Sequence, residues 1–178
     1  MKYFSYLLMM CLVLMGCSDS SLESNDTAPD RIQREGQTMT ATRQLGEYEL
    51  RLSVQQFGDH DFTFKPGIRY RGQDANHEIF HSKQFFDIDL QMDGKTLLPP
   101  RSSTSEELAT ELKKDSWYSE EVEIILTPEQ VQYISNGEAD LILNAGFRSE
   151  QSGYNDEKKM IISGEDILFK QVDADRKE

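Results

Sequence analysis

Glu47-Tyr48-Glu49-Leu50-Arg51-Leu52-Ser53-Val54-Gln55 alternates polar and apolar side chains without an error. In an extended chain Tyr48, Leu50, Leu52 and Val54 project to one side, and Glu49, Arg51 and Ser53 to the other. That period of two is the mark of a strand with one buried and one wet face. The rhythm continues downstream. Phe62 and Phe64 alternate with Asp61, Thr63 and Lys65, and Pro66-Gly67 is expected to turn the chain. Ile68 and Tyr70 then alternate with Arg69 and Arg71. Phe86, Ile88, Leu90 and Met92 alternate with Asp87, Asp89, Gln91 and Asp93. Asp93-Gly94 predicts a tight hairpin, because both central residues of that turn need positive φ. Lys95 to Leu98 returns, and Pro99-Pro100 ends the pairing.

Further on the pattern is mixed. Ser102 to Asp115 carries helix-favouring residues, among them Glu106, Glu107, Leu108 and Ala109, with Thr104 or Ser105 placed to cap, so a short surface helix or helical loop is expected. Val122 to Leu126 reads as a strand. Thr127-Pro128-Glu129-Gln130 combines a capping residue, proline at the first helical position and Gln three residues on, which predicts a short helix to Ser135, broken by Asn136-Gly137. Leu141, Leu143, Ala145 and Phe147 share one face of another strand. Lys158 to Ser163 and Asp166 to Val172 are expected to form a last hairpin across Gly164. Short strands separated by turns, with one or two short helical insertions and no long amphipathic helix, predict an all-β antiparallel β-sandwich. The strand rhythm from about Gln37 to Val172 resembles the immunoglobulin-like sandwiches carried by bacterial lipoproteins. The cysteine pair of immunoglobulin domains is absent, and Trp117, the single tryptophan, is expected in the core or at its edge.

Upstream of the strands lies chemistry of another kind. Ser18 to Gly36 is rich in Ser, Asp, Glu and Asn and poor in apolar residues, so it reads as a disordered tether. Before it, Met1-Lys2 is followed by an almost wholly apolar stretch, Tyr3 to Met15. A helix that spans a bilayer needs about 20 apolar residues. The stretch is shorter and ends in a small residue, as signal peptides do. Leu14-Met15-Gly16-Cys17 resembles the lipobox of bacterial lipoproteins, with Leu14, Gly16 and Cys17 in the required positions. The resemblance implies a signal peptide over 1–16, cleavage before Cys17 and diacylglycerol on its thiol. It implies a tether over 17–36, a domain over 37–172, a charged tail over 173–178, and attachment to a membrane through the lipid. Cys11 leaves with the signal peptide, so no internal disulfide is available to the mature chain.

Cleavage removes Lys2 and no acid, so 19 basic residues become 18 against 32 acidic ones, and the net charge moves from −13 to −14. Nucleic acid is thereby excluded as a partner, since phosphate backbones demand clustered Lys and Arg. Ser18, rather than Asp, follows Cys17, which implies the outer membrane in a two-membrane cell and the outer leaflet of the plasma membrane otherwise.

One motif points to catalysis. His77-Glu78-Ile79-Phe80-His81 fits H-E-x-x-H, the zinc-metallopeptidase signature, with Glu106, Glu107 or Glu111 downstream as third ligand. That chemistry needs a helix, on which both His reach one zinc while Glu78 activates water. Here Asn76 to His81 runs into Phe85–Met92, read as an alternating strand, with no Gly or Pro between. A strand is expected, with the histidines as polar strand residues. Asp89 to Gly94 imitates the start of an EF-hand loop, but the closing bidentate Glu would fall at Pro100. Asp87, Asp89 and Asp93 are expected on a wet strand face. His60 sits in a polar loop with no nucleophile motif near it. Tyr118, Tyr133 and Tyr154 are expected to cover the core, with stacking on sugars or anchoring of a protein partner as the alternative. The expected function is therefore a non-catalytic sandwich that binds an envelope protein or extracellular ligand, with no cofactor. The alternative is a small zinc metallopeptidase using His77, Glu78 and His81.

Overall fold

The computed structural model describes residues 27–57, 61–99, 106–122, 124–149 and 157–167. Cys17, His60 and Tyr154 lie outside the described residues, as do the proposed caps Thr104 and Ser105, the signal peptide and the charged tail.

Two antiparallel sheets face each other. The first comprises β1 (Arg31–Glu35), β2 (Thr38–Leu45), β3 (Tyr48–Phe57), β4 (Asp61–Tyr70) and β8 (Trp117–Ser119), in that spatial order. In the second, β10 (Glu157–Ile162), β9 (Asp140–Ser149) and β5 (Asn76–Met92) lie side by side. β6 (Lys95–Thr96) and β7 (Glu107–Lys113) pair with the two ends of β5. The all-β sandwich is thus the architecture of the protein. Met39, Leu50, Leu52, Phe64 and Ile68 from the first sheet meet Ile79, Phe86, Ile88, Leu90 and Leu143 from the second in one buried core. Without a disulfide among the described residues, stability rests on this burial, worth roughly 1.5–3 kcal/mol for each large side chain.

The alternation of Tyr48 to Val54 is realised as read: those four are buried and their neighbours point outward. The Asp93-Gly94 hairpin is also present, with φ of 51° and 73°. Helix α1 (Pro128–Ser135) carries the full capping box: Gln130 N donates to Thr127 Oγ1 at 3.3 Å and Thr127 N to Gln130 Oε1 at 2.8 Å.

Other segments depart from the sequence reading, each for a tertiary reason. The expected surface helix after Ser102 is strand β7, because Thr110 and Leu112 lie opposite Ile79 and His77 and the open edge of β5 takes the backbone. Pairing overrides helix propensity. Pro66-Gly67 makes no turn, and β4 runs straight through it. Its partner on that side is incomplete, only Gly67 to Arg69 on β8 and one bridge from Phe64 to Val122, so a missing N–H is tolerated there. Val122 to Leu126 keeps the alternation but not the ladder. Val122, Ile124 and Leu126 pack on the core, whereas Ile125 is 88% exposed. Arg31 to Glu35, read as tether, forms β1 against β2. Gly164 begins a single helical turn, α2 (Gly164–Ile167), where the hairpin turn was expected, and residues 168–172 of the expected second arm lie outside the described residues.

β5 is irregular. Register with β9 is lost between His81 and Phe86, so Ser82 to Phe85 stand against Gly146 alone. Such a bulge re-aims side chains. It turns Phe85 inward beside Phe86, with ring centroids 4.5 Å apart, and the two fill the core together.

Candidate functional site

His77, Glu78 and His81 lie on β5, as the strand reading required. Four residues of strand span about 13 Å. Two rings that far apart on one strand cannot both bind an ion that takes nitrogen at about 2.0–2.1 Å. Glu78 is exposed on the opposite face. Each ring also has protein partners. His77 Nε2 lies 2.7 Å from Tyr48 Oη, and the ring stacks on Tyr70 with centroids 4.5 Å apart. His81 is 5% exposed. Its Nδ1 is 2.7 Å from the Ser82 carbonyl, which can only accept, so this nitrogen carries a proton; Nε2 meets Thr110 Oγ1 at 2.8 Å. Thr110 also bonds Tyr118, whose hydroxyl donates to Glu120 Oε1 at 2.6 Å. Burial first, then Glu120, push the Tyr118 phenol up to about 12. The strip His81–Thr110–Tyr118–Glu120 satisfies polar groups inside the sandwich rather than presenting them to a substrate.

The other acidic and aromatic candidates are engaged locally. Asp89 accepts from Leu90 N, Gln91 Nε2 and Thr96 Oγ1, and Asp93 sits in the hairpin turn. Among the described residues no group of three His, Cys, Asp or Glu is arranged to hold a metal. Tyr133 donates to Glu129 across one turn of α1.

A different constellation lies on the outer face of the first sheet. Register sets Glu49, Arg69 and Trp117 in one row across β3, β4 and β8, and Arg51, Gly67 and Ser119 in the next. Trp117, expected in or beside the core, is half-buried on this outer face. The Arg51 and Arg69 guanidinium carbons lie 4.2 and 4.5 Å from its ring centroid. Arg69 donates twice to Glu49 Oε2, at 2.5 and 3.1 Å. Arg71 approaches Glu49 at 3.9 Å and Asp115 at 3.4 Å. Arg51 Nη2 donates to Ser119 Oγ at 3.1 Å, but its buried Nε has no partner. Burial and then Arg69 lower its affinity for its proton. Gly67 makes the row possible: a Cβ there would sit 2.7 Å from Ser119 Oγ and 3.4 Å from Arg51 Nη2.

The corner that delivers Trp117 is Asp115, at φ 59°, its N–H bonded to the Tyr70 carbonyl at 2.9 Å. Asp is one of the few side chains that adopt this backbone readily. Sequence reading missed the cluster because its members come from three separate segments. Its only local trace is the outward alternation of Glu49 and Arg51, and of Arg69 and Arg71.

Around the cluster the charge is reversed relative to the whole chain. The outward positions of the first sheet and the adjoining corner carry Arg31, Arg51, Lys65, Arg69 and Arg71 against Glu35, Glu49 and Asp115. Those of the second carry Glu78, Asp87, Asp89, Glu107, Glu111 and Asp140 against Lys113, Arg148 and Lys159. No family model, curated protein or solved structure matches this chain. The immunoglobulin-like resemblance therefore rests on strand rhythm alone. Among the described residues no helix is long and apolar enough to cross a membrane.

Proposed function

We propose that the chain is an exported lipoprotein, anchored through Cys17, whose sandwich binds an extracytoplasmic ligand or envelope protein without catalysis. The observation that carries the binding reading is the Arg51–Trp117–Arg69 cluster. It is a half-exposed aromatic ring with two guanidinium carbons 4.2 and 4.5 Å from its centroid, on a polar sheet face.

The anchor is supported by the Leu14–Cys17 pattern and by the apolar stretch before it. In a two-membrane cell the protein belongs at the outer membrane, and otherwise on the outer leaflet of the plasma membrane. The peptidase reading loses its geometric basis on strand β5. Metabolic labelling with an alkyne fatty acid tests the anchor: wild type takes up label and Cys17→Ala does not. Unlabelled wild type, or a mature N-terminus mapped elsewhere than Cys17, would remove this reading. Stoichiometric zinc in the purified protein would revive the peptidase.

A further inference from the structure

We propose that the protein pairs with a second copy of itself through β1, antiparallel and edge to edge, so that the two first sheets become one continuous sheet. The pairing belongs to the sandwich and does not depend on the lipid anchor.

The first argument is the open backbone. β1 is the outermost strand of the first sheet and pairs only with β2. Glu35 and Thr38 flank the two-residue turn Gly36-Gln37, with Gly36 at φ 59°, and such a turn closes on a hydrogen-bonded pair. Hydrogen-bonded pairs alternate along an antiparallel ladder, so Arg31, Gln33 and Glu35 direct their backbone groups at β2. Ile32 and Arg34 direct theirs away from it, and among the described residues no backbone group meets them. Other edges are covered. On β10, Ile161 N donates to the Thr27 carbonyl and the Lys159 carbonyl accepts from Arg43. β7 lies against the first sheet, where Thr110 bonds Tyr118 and Lys114 bridges to Tyr70.

The second argument is register. Antiparallel pairing centred on Gln33 sets Ile32 opposite Arg34 of the partner subunit, and Arg34 opposite Ile32 of the partner subunit. Both are then hydrogen-bonded pairs, and every outward N–H and C=O of Ile32 and Arg34 is satisfied. Arg31 stands opposite Glu35 of the partner subunit at each end, and Gln33 meets Gln33 of the partner subunit at the centre. These are the non-hydrogen-bonded pairs, whose side chains approach most closely. Arg31, Gln33 and Glu35 are all exposed on the outer face, so they are available for it. Rival registers fail. Centring on Ile32 leaves the Arg34 carbonyl opposite Asp30, whose N–H already bonds the Thr42 carbonyl. Centring on Arg34 sets two guanidinium side chains opposite each other. A charged edge discourages added strands in general. These charges complement their own sequence run antiparallel, which makes the occupant a second copy. Arg34 also donates to the Asp166 carbonyl and lies 3.7 Å from its carboxylate, so α2 holds the strand in place beforehand.

Oxidative cysteine trapping of the full-length protein purified in detergent tests this. An edge contact of this size is weak in dilute solution, and a disulfide captures it. The mature wild type has Cys17 as its one cysteine, alkylated on the anchor reading, and gives no covalent dimer. Gln33→Cys gives one, because non-hydrogen-bonded partners about 4.5 Å apart at Cα fit a disulfide. Arg31→Cys traps about tenfold less, since its counterpart lies four residues away, about 13 Å along the strand. Adding Glu35→Arg to Gln33→Cys lowers the trapped fraction severalfold, and adding Arg31→Glu as well restores it. Circular dichroism confirms that each variant is folded.

No dimer with Gln33→Cys overturns the proposal. So does equal trapping of Gln33→Cys and Arg31→Cys, which would mean random collision. A Glu35→Arg loss that Arg31→Glu fails to restore, or no loss at all, overturns the register. Covalent dimers of the wild type would instead contradict the anchor reading, by showing a free thiol at Cys17. Gln33→Cys is then compared with Arg31→Cys in a Cys11→Ser, Cys17→Ser chain, with the same expected and overturning results.

Discussion

The first sheet pairs β3 with β4 along all ten residues of β3, whereas the second loses register in the middle of its central strand. Their outer faces also differ in sign, basic on the first and acidic on the second. The regular sheet keeps every second residue pointing outward, and its outward residues form a polar face with Arg51, Arg69 and Trp117 at one side. The irregular sheet spends Ser82 to Phe85 on a bulge that places Phe85 against His81, Phe86, Tyr118 and Phe147. Regularity serves the surface, and irregularity serves the core.

Substitutions divide the two roles. The largest effect is expected from Phe85→Ala, which empties the bulge and costs about 3–5 kcal/mol in urea unfolding. A cost below about 1 kcal/mol would show that the bulge does not hold the core. Next comes one substitution made in both sheets. Gly67→Ala forces a Cβ against Ser119 and Tyr118 and costs about 1–3 kcal/mol. Gly146→Ala, opposite the bulge, meets nothing within 4 Å and raises stability by up to about 1 kcal/mol. Equal costs would erase the distinction between a closely stacked first sheet and an open second one.

Tyr118 links the sheets, since it belongs to β8 and its ring packs on Phe85 and Phe86 of β5. Its phenol is raised from the ordinary 10.0 to about 12, so the folded protein holds that proton longer than the unfolded chain does. The stability it contributes is complete below pH 10.0 and is lost as the pH rises through about 12. Tyr118→Phe should flatten the alkaline limb of a stability–pH profile, measured as the difference from wild type. An unchanged limb would place the phenol in water. The smallest effect is that of Arg51→Gln, within about 0.5 kcal/mol of wild type, because the lost contacts are offset by removing an unsatisfied donor and a like-charge neighbour. A cost of several kcal/mol would make Arg51 a structural residue.

Much of this contrast was open to sequence reading on one side only. Tyr48 to Val54 announces itself because both faces of β3 obey one rule, and the same holds for Asp93-Gly94 and for the Thr127 cap. β7 did not, since Glu107, Ala109 and Glu111 favour helix locally and only the free edge of β5 makes them a strand. Pro66-Gly67 looked like a turn because proline and glycine report local chemistry, whereas their tolerance in β4 depends on what β8 leaves unpaired. The Arg51–Trp117–Arg69 cluster joins residues 51, 69 and 117 through strand order, which no local window contains. The two histidines of H-E-x-x-H were legible as strand residues from the run into Phe86, and their partners Tyr48 and Thr110 were not.

Trp117 is the only tryptophan in the chain, so its emission reports on the cluster alone. Arg51→Gln and Arg69→Gln should each shift that emission, because each removes a guanidinium lying within 4.5 Å of the ring centroid. Lys113→Gln, on the other sheet, should leave it as in wild type. Emission identical in wild type, Arg51→Gln and Arg69→Gln would contradict the account of the first sheet, because it would place the ring away from both cations.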